Sequence, residues 1–427
     1  MIISPFEAAR SSTPKGIRYI RLFLLALVGL FISKTIWFSN LLQGNSPRRL
    51  MDFDAFYIVA QMIWRGEVAD AYHFATLFEV QKAMSGTQSF MPWTYPPPFD
   101  LLIAPLAFLP LGLAYALFTG GTFTAYLATL KRIESEHFPL LLIVLLPTLA
   151  VVIGCGQNGF LTGTLIGLTC LGFQRRSAWA GLPLGLMIIK PHLAVAFALY
   201  TLASRRWAAA CIAAATVLAM SALSALLLGT DVWIAFLQGT KEAQIFLEKG
   251  MYPLFRMISP YAALHTFGLP ASMAMAAQIL VAVLALGLVV LSVYRGLPLR
   301  QSLGLTAIAS LLISPYAYDY DMPVFGIGLA LILPDLIRQG REAERAIIYG
   351  LSLFAGGFGM AQSFGYVAEH GTDAKLQIDN MPLSLAGFTL IALALLAWRI
   401  LRRTEEMRPA PAEGRATTAI IAPHAGS

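Results

Sequence analysis

Residues 207–228 read WAAACIAAATVLAMSALSALLL, a run that carries no charge and follows directly on Arg205 and Arg206. Its apolar residues are continuous and rich in Leu and Ala, whereas a barrel strand would alternate apolar with polar. A run of roughly 20 such residues is what a helix needs to cross the hydrocarbon core of a bilayer. The rest of the chain follows this pattern. Charged residues make up 12% and the apolar set 57% of 427 residues, and the mean hydropathy is +0.69. No single core could bury that much apolar surface in water, while lipid accepts it if every backbone amide is satisfied within a helix. The chain therefore reads as an all-α integral membrane protein.

The formal charge of +7 invites a nucleic-acid reading, but Lys and Arg fall in short clusters at the ends of apolar runs. They are Lys131/Arg132, Arg175/Arg176, Arg205/Arg206, Arg295/Arg300, Arg338/Arg341/Arg345 and Arg399/Arg402/Arg403, besides an N-terminal set. Such clusters mark the cytoplasmic side of short loops, so they report topology. Paired apolar runs between them predict about 12 transmembrane or re-entrant segments with both termini cytoplasmic. The expected spans are 19–38, 98–131, 138–154, 158–174, 178–189, 191–204, 207–228, 271–294, 302–314, 322–336, 346–361 and 382–401. Several are too short for a full crossing and suit broken helices that meet at a cavity. The 98–131 stretch is too long for one, and with Pro105 and Pro110 it is expected to start half-embedded.

Residues 1–403 form one polytopic domain on this reading, and 404–427, rich in Ala, Pro, Thr and Gly, a disordered cytoplasmic tail. The first helix is expected to stay uncleaved. Cys155, Cys170 and Cys211 sit in or beside apolar runs and read as packing residues.

Polar residues that topology leaves unexplained collect in the extracytoplasmic loops, above all 39–97. Asp52-Phe53-Asp54 opens a stretch with the pattern of an amphipathic interfacial helix. One of the two carboxylates would cap that helix, which leaves the other as a general base. Tyr95-Pro96-Pro97-Pro98 is a rigid turn back toward the membrane. Gly156-Gln157-Asn158-Gly159 is a tight turn whose amides suit hydroxyls or phosphate oxygens. Lys190-Pro191-His192 places a cation away from the basic clusters, where it could hold a lipid phosphate. Ser314 to Asp321 packs three tyrosines and two carboxylates into one turn, and Lys241, Lys249, Arg256 and His265 add cations in the 229–270 loop.

Five of these pieces, in order, resemble glycosyltransferase family 87, a GT-C-class membrane family. They are Asp52-Phe53-x-x-Phe56-Tyr57, Tyr95-Pro96-Pro97, Gly156-Gln157-Asn158-Gly159-Phe160-Leu161, Lys190-Pro191 behind Gly181 and Gly185, and Ser314-Pro315-Tyr316 with Tyr320-Asp321. The resemblance, over residues 15–400, implies a GT-C-like helical bundle in a bacterial inner membrane. It implies transfer of a sugar, mannose in the family's best-known members, from a polyprenyl-phosphate donor to a lipid or glycan acceptor on the extracytoplasmic side. By position it implies Asp52 as the base. Asp54, Tyr57, Tyr95, Gln157, Asn158, Lys190, His192, Arg256, Tyr320 and Asp321 are the candidate substrate-binding residues. No cofactor is expected, with a divalent metal at one of the Asp-x-Asp pairs as the minor alternative. A transporter or lipid flippase without transferase activity is the competing class.

Overall fold

The computed structural model describes residues 3–39, 48–371 and 378–403. The expected tail, 404–427, and residues 40–47 of the first loop lie outside them. The described residues are helical with no strand beyond an isolated bridge between Met257 and Tyr318.

Among the described residues, five helices have the length and composition to cross a membrane: Pro14–Ser39, Leu111–Ile133, Trp207–Leu228, Ala271–Tyr294 and Glu342–Glu369. The pair Phe138–Val144 and Leu146–Cys155, bent by 62°, would count as a sixth. The other apolar stretches are shorter helices of 10–17 residues, including 159–174, 178–189 and 191–203. Of the about 12 transmembrane or re-entrant segments expected, the short ones at 178–189 and 191–204 are broken, as expected. Pro183 and Pro191 interrupt the 178–203 region, where 3-10 turns replace regular helix at Met187–Ile189 and Pro191–Leu193. In the same way 98–131 divides before Pro110, with a short helix Pro97–Ile103, a 3-10 turn Ala104–Phe108, and then the Leu111–Ile133 helix. All three cysteines are free.

Close packing at the centre depends on glycines four residues apart. A Cβ at Gly163 would stand 2.8 Å from the Tyr126 ring, and one at Gly167 2.5 Å from Thr129. Gly159, first on the same stripe, meets the Tyr320 carbonyl. Small residues at this spacing let backbones approach where lipid offers no hydrophobic drive for association. The Gly159–Gln174 helix thus lies tight between Leu111–Ile133 and Pro323–Gln339.

The Asp52–Trp64 helix differs from its expected form. Its sequence pattern places it at the interface on one apolar face, yet Phe53 through Ala60 are all buried, and the helix is covered on every side over that length. Phe38, Tyr115, Trp93 and Phe99 close around Phe53 and Phe56 with ring centroids 5.2–5.9 Å apart. These aromatics come from the first helix, the Leu111–Ile133 helix and the turn at 93–99, so the first loop is clamped into the bundle.

Candidate active site

A cavity of about 1400 Å³ opens among the 49–96 region, the Gln157 turn, the Lys190 break, the Phe236–Arg256 segment and the 316–320 turn. Its walls bring together Asp52, Tyr95, Gln157, Lys190, His192, Arg256 and Tyr320.

The two acids at the start of the Asp52–Trp64 helix part ways. Asp54, fully buried, accepts the Met51 N–H at 2.7 Å and pairs with Arg48, which itself stacks on Trp37. This is the capping role, and it fixes the helix start. Burial pushes the Asp54 carboxyl up to about 6 against the pull of Arg48. Asp52, half-buried, faces the cavity instead, and its Oδ1 accepts a hydrogen bond from Gln157 Nε2 at 3.0 Å.

Gln157 is oriented from behind. Its Oε1 accepts from the Tyr95 hydroxyl at 2.7 Å and from the Asn158 backbone N–H at 2.9 Å. A backbone N–H can only donate, so that oxygen faces away from Asp52 and the amide nitrogen faces toward it. The turn is held by Gly156, in the left-handed region at φ 70°, where a Cβ would lie 2.6 Å from Phe53.

Two cations of the same lining flank one tyrosine. Lys190 Nζ, almost wholly buried, donates to Asp321 Oδ1 at 2.6 Å and Asn158 Oδ1 at 3.2 Å, and lies 4.7 Å from the centre of the Tyr320 ring. Arg256 forms two bonds to Asp319, Nε to Oδ2 at 3.0 Å and Nη2 to Oδ1 at 2.8 Å, and lies 5.7 Å from the same ring. Burial alone would lower the Arg256 pKa, but the paired Asp319 carboxylate holds it well above the usual value. Tyr318 stacks beneath Tyr320 at 4.9 Å. The Asp319-Tyr320-Asp321 turn therefore anchors one cation with each acid. An ammonium has three N–H donors, and Lys190 makes two such bonds among the described residues.

His192 lines the same cavity, and its Nε2 has no hydrogen-bond partner among the described residues. Asn158 and Asp321 stand behind Lys190 and set its position. Tyr57 is elsewhere: its hydroxyl donates to the Leu109 carbonyl at 2.9 Å and pins the Asp52–Trp64 helix to the turn before Leu111. Lys249 joins Arg256 on the lining, while His265 bonds the Leu269 carbonyl at 2.9 Å.

Sequence reasoning passed over the aromatic part of the wall. Phe74 and Phe78 come from the Phe74–Ser85 helix, and Phe236, Thr240, Ala243 and Phe246 from one face of Asp231–Glu248. The i, i+4, i+7, i+10 spacing was visible, but it is also what an ordinary core face shows.

A family model described as Glycosyltransferase family 87 matches residues 93–315. No curated protein and no solved structure matches the chain. The matched span includes Tyr95, Gln157, Lys190 and Arg256 and stops short of Asp52 on one side and Tyr320 on the other; the cavity joins all six.

Proposed function

The chain belongs to glycosyltransferase family 87, and from that premise we propose that it moves a sugar from a polyprenyl-phosphate carrier to a lipid or glycan acceptor. The transfer takes place on the extracytoplasmic side of a bacterial inner membrane and inverts the anomeric centre, with Asp52 as general base. The observation that carries this reading is one cavity whose lining includes the carboxylate of Asp52 and the cations of Lys190 and Arg256.

In the proposed step the acceptor hydroxyl binds at Asp52 Oδ2, because Oδ1 is occupied by Gln157. Its oxygen attacks the anomeric carbon as the bond from that carbon to the phosphate oxygen breaks, and its proton passes to Asp52. Polyprenyl phosphate leaves as an anion, and Lys190, with Arg256 close by, stabilises the charge that develops there. Both cations are already matched by Asp321 and Asp319. That balance suits the single charge of a sugar phosphodiester better than the double charge of a nucleotide diphosphate sugar.

Sidedness is supported by the ends of two helices. Gly159–Gln174 starts at the cavity and ends at Arg175 and Arg176, and Pro323–Gln339 starts just past the Asp319–Asp321 turn and has Arg338 in its last turn. Basic ends favour the cytoplasmic side, which supports a cavity facing the other.

A donor panel tests the reading. Purified protein in liposomes is offered polyprenyl-phosphate sugars, mannose included, and the matching nucleotide sugars. Transfer from a polyprenyl-phosphate donor is expected; transfer from nucleotide sugars alone would overturn it.

A further inference from the structure

Beneath the Tyr95 wall lies a buried carboxyl group with no part in the chemistry above. Asp100, in the Pro97–Ile103 helix, is fully buried, as are its two polar neighbours Tyr72 and Trp93. Trp93 Nε1 donates to Asp100 Oδ1 at 3.0 Å. The Tyr72 hydroxyl lies 2.7 Å from Asp100 Oδ2 and 2.8 Å from the Tyr95 carbonyl oxygen.

The proton count at this junction does not close with a carboxylate. One hydroxyl hydrogen faces two acceptors at full hydrogen-bond distance, and one of the two would go without. The Tyr95 carbonyl has no ready substitute. Prolines at 96, 97 and 98 remove three successive backbone donors, and the next N–H, from Phe99, is taken by the Pro96 carbonyl at 2.8 Å. A proton on Asp100 Oδ2 resolves it: the acid donates to the Tyr72 oxygen, and Tyr72 donates to Tyr95. Every polar atom of the junction is then satisfied without a charge, as a site so dry requires.

We propose that Asp100 is held as a neutral carboxylic acid and acts as a positioning residue, fixing Tyr95 through Tyr72. The chain of contacts runs Asp100, Tyr72, the Tyr95 carbonyl, the Tyr95 hydroxyl, Gln157 and then Asp52. The link to turnover rests on the proposed role of Asp52, while the protonation state stands on the junction alone.

The experiment therefore has two arms. Infrared difference spectra at neutral pH should show the C=O stretch of a protonated carboxylic acid that is missing in Asp100→Asn and shifted in Tyr72→Phe. No such band in the wild type, or a band that neither variant alters, would overturn the proposal whatever the enzyme does. In the transfer assay Asp100→Asn, whose neutral amide also donates to Tyr72 and accepts from Trp93, should keep activity within roughly threefold. Asp100→Leu and Tyr72→Phe should each lower kcat by roughly tenfold, the scale of one buried hydrogen bond expressed in the transition state. Their double variant should lose no more than the worse single. Fully additive losses, or a folded Asp100→Asn as impaired as Asp100→Leu, would refute positioning through Tyr72. An intact acid band with those kinetics would leave the protonation standing and sink only the link to Asp52.

Discussion

Gly159→Ala puts two physical effects in direct opposition. Gly159 opens a helix, and alanine is the better helix former by about 1 kcal/mol, so propensity alone predicts stabilisation. The surroundings predict the reverse. A Cβ at 159 would lie 1.9 Å from the Tyr320 carbonyl oxygen, 3.1 Å from its carbon and 3.3 Å from Pro323 Cγ. Carbon–oxygen contacts settle near ~3.3 Å, so the two backbones must separate by roughly 1.4 Å. The obstacle is main chain, and its turn is tied on both sides of Tyr320 by the Lys190–Asp321 and Arg256–Asp319 pairs. Overpacking of this kind costs about 1–3 kcal/mol, which outweighs the propensity gain. The same shift moves the cations away from Gln157 and Asp52, and misplacement by about 1 Å can cost ~10²-fold in rate. We expect Gly159→Ala to melt below the wild type in detergent and to lose about two orders of magnitude in transfer. Gly121→Ala, with nothing within 4 Å of its new Cβ, serves as control and should be neutral or slightly more stable. A Gly159→Ala protein as stable and as active as that control would refute the packing argument.

Three further outcomes follow from the same contacts. Lys190→Met leaves Asp321 buried and unpaired and should cost about 3–5 kcal/mol of stability; adding Asp321→Asn, which still accepts the Tyr318 N–H, should restore the melting temperature but not transfer. Tyr57→Phe removes only the bond to Leu109, so stability should fall by about 1 kcal/mol with transfer within about twofold, and a larger loss of transfer would return Tyr57 to the site. Asp54 has its pKa raised by burial from 3.8 to about 6. The folded state then binds more protons across that window, so stability is full below about pH 4 and declines by up to about 3 kcal/mol as pH rises through 6. Asp54→Asn should flatten that decline in a melting-temperature series, and an unchanged slope would place the titration elsewhere.

Local physics made much of this chain readable. Uncharged Leu/Ala-rich runs can only be helices in lipid, and they are helical. Of two acids two residues apart, one had to cap the helix; Arg48 six residues before Asp54 selects it, which turns Asp52 to the cavity. The breaks within 178–203 were readable from spans too short to cross, but the number of full crossings was not, because prolines break helices without removing hydrophobicity. Nor was the pairing of Lys190 with Asp321, 131 residues apart in the chain, since no local pattern encodes a contact at that distance. Tyr57 shows the limit of motif reasoning: it sits in a matching pattern, yet the Leu109 carbonyl occupies its hydroxyl. Asp100 had left a trace, a lone acid entering an apolar run, which in a membrane protein marks a specific role.

The central claim is that Asp52 takes the acceptor proton from within the cavity that holds Lys190 and Arg256. Single-turnover transfer by Asp52→Asn tests it most directly, because the amide keeps the size of the side chain while losing its basicity. With donor binding and melting temperature preserved, the rate should fall by roughly 10²–10⁴-fold, the usual contribution of a positioned general base. A variant that binds donor and transfers sugar at the wild-type rate would contradict the account.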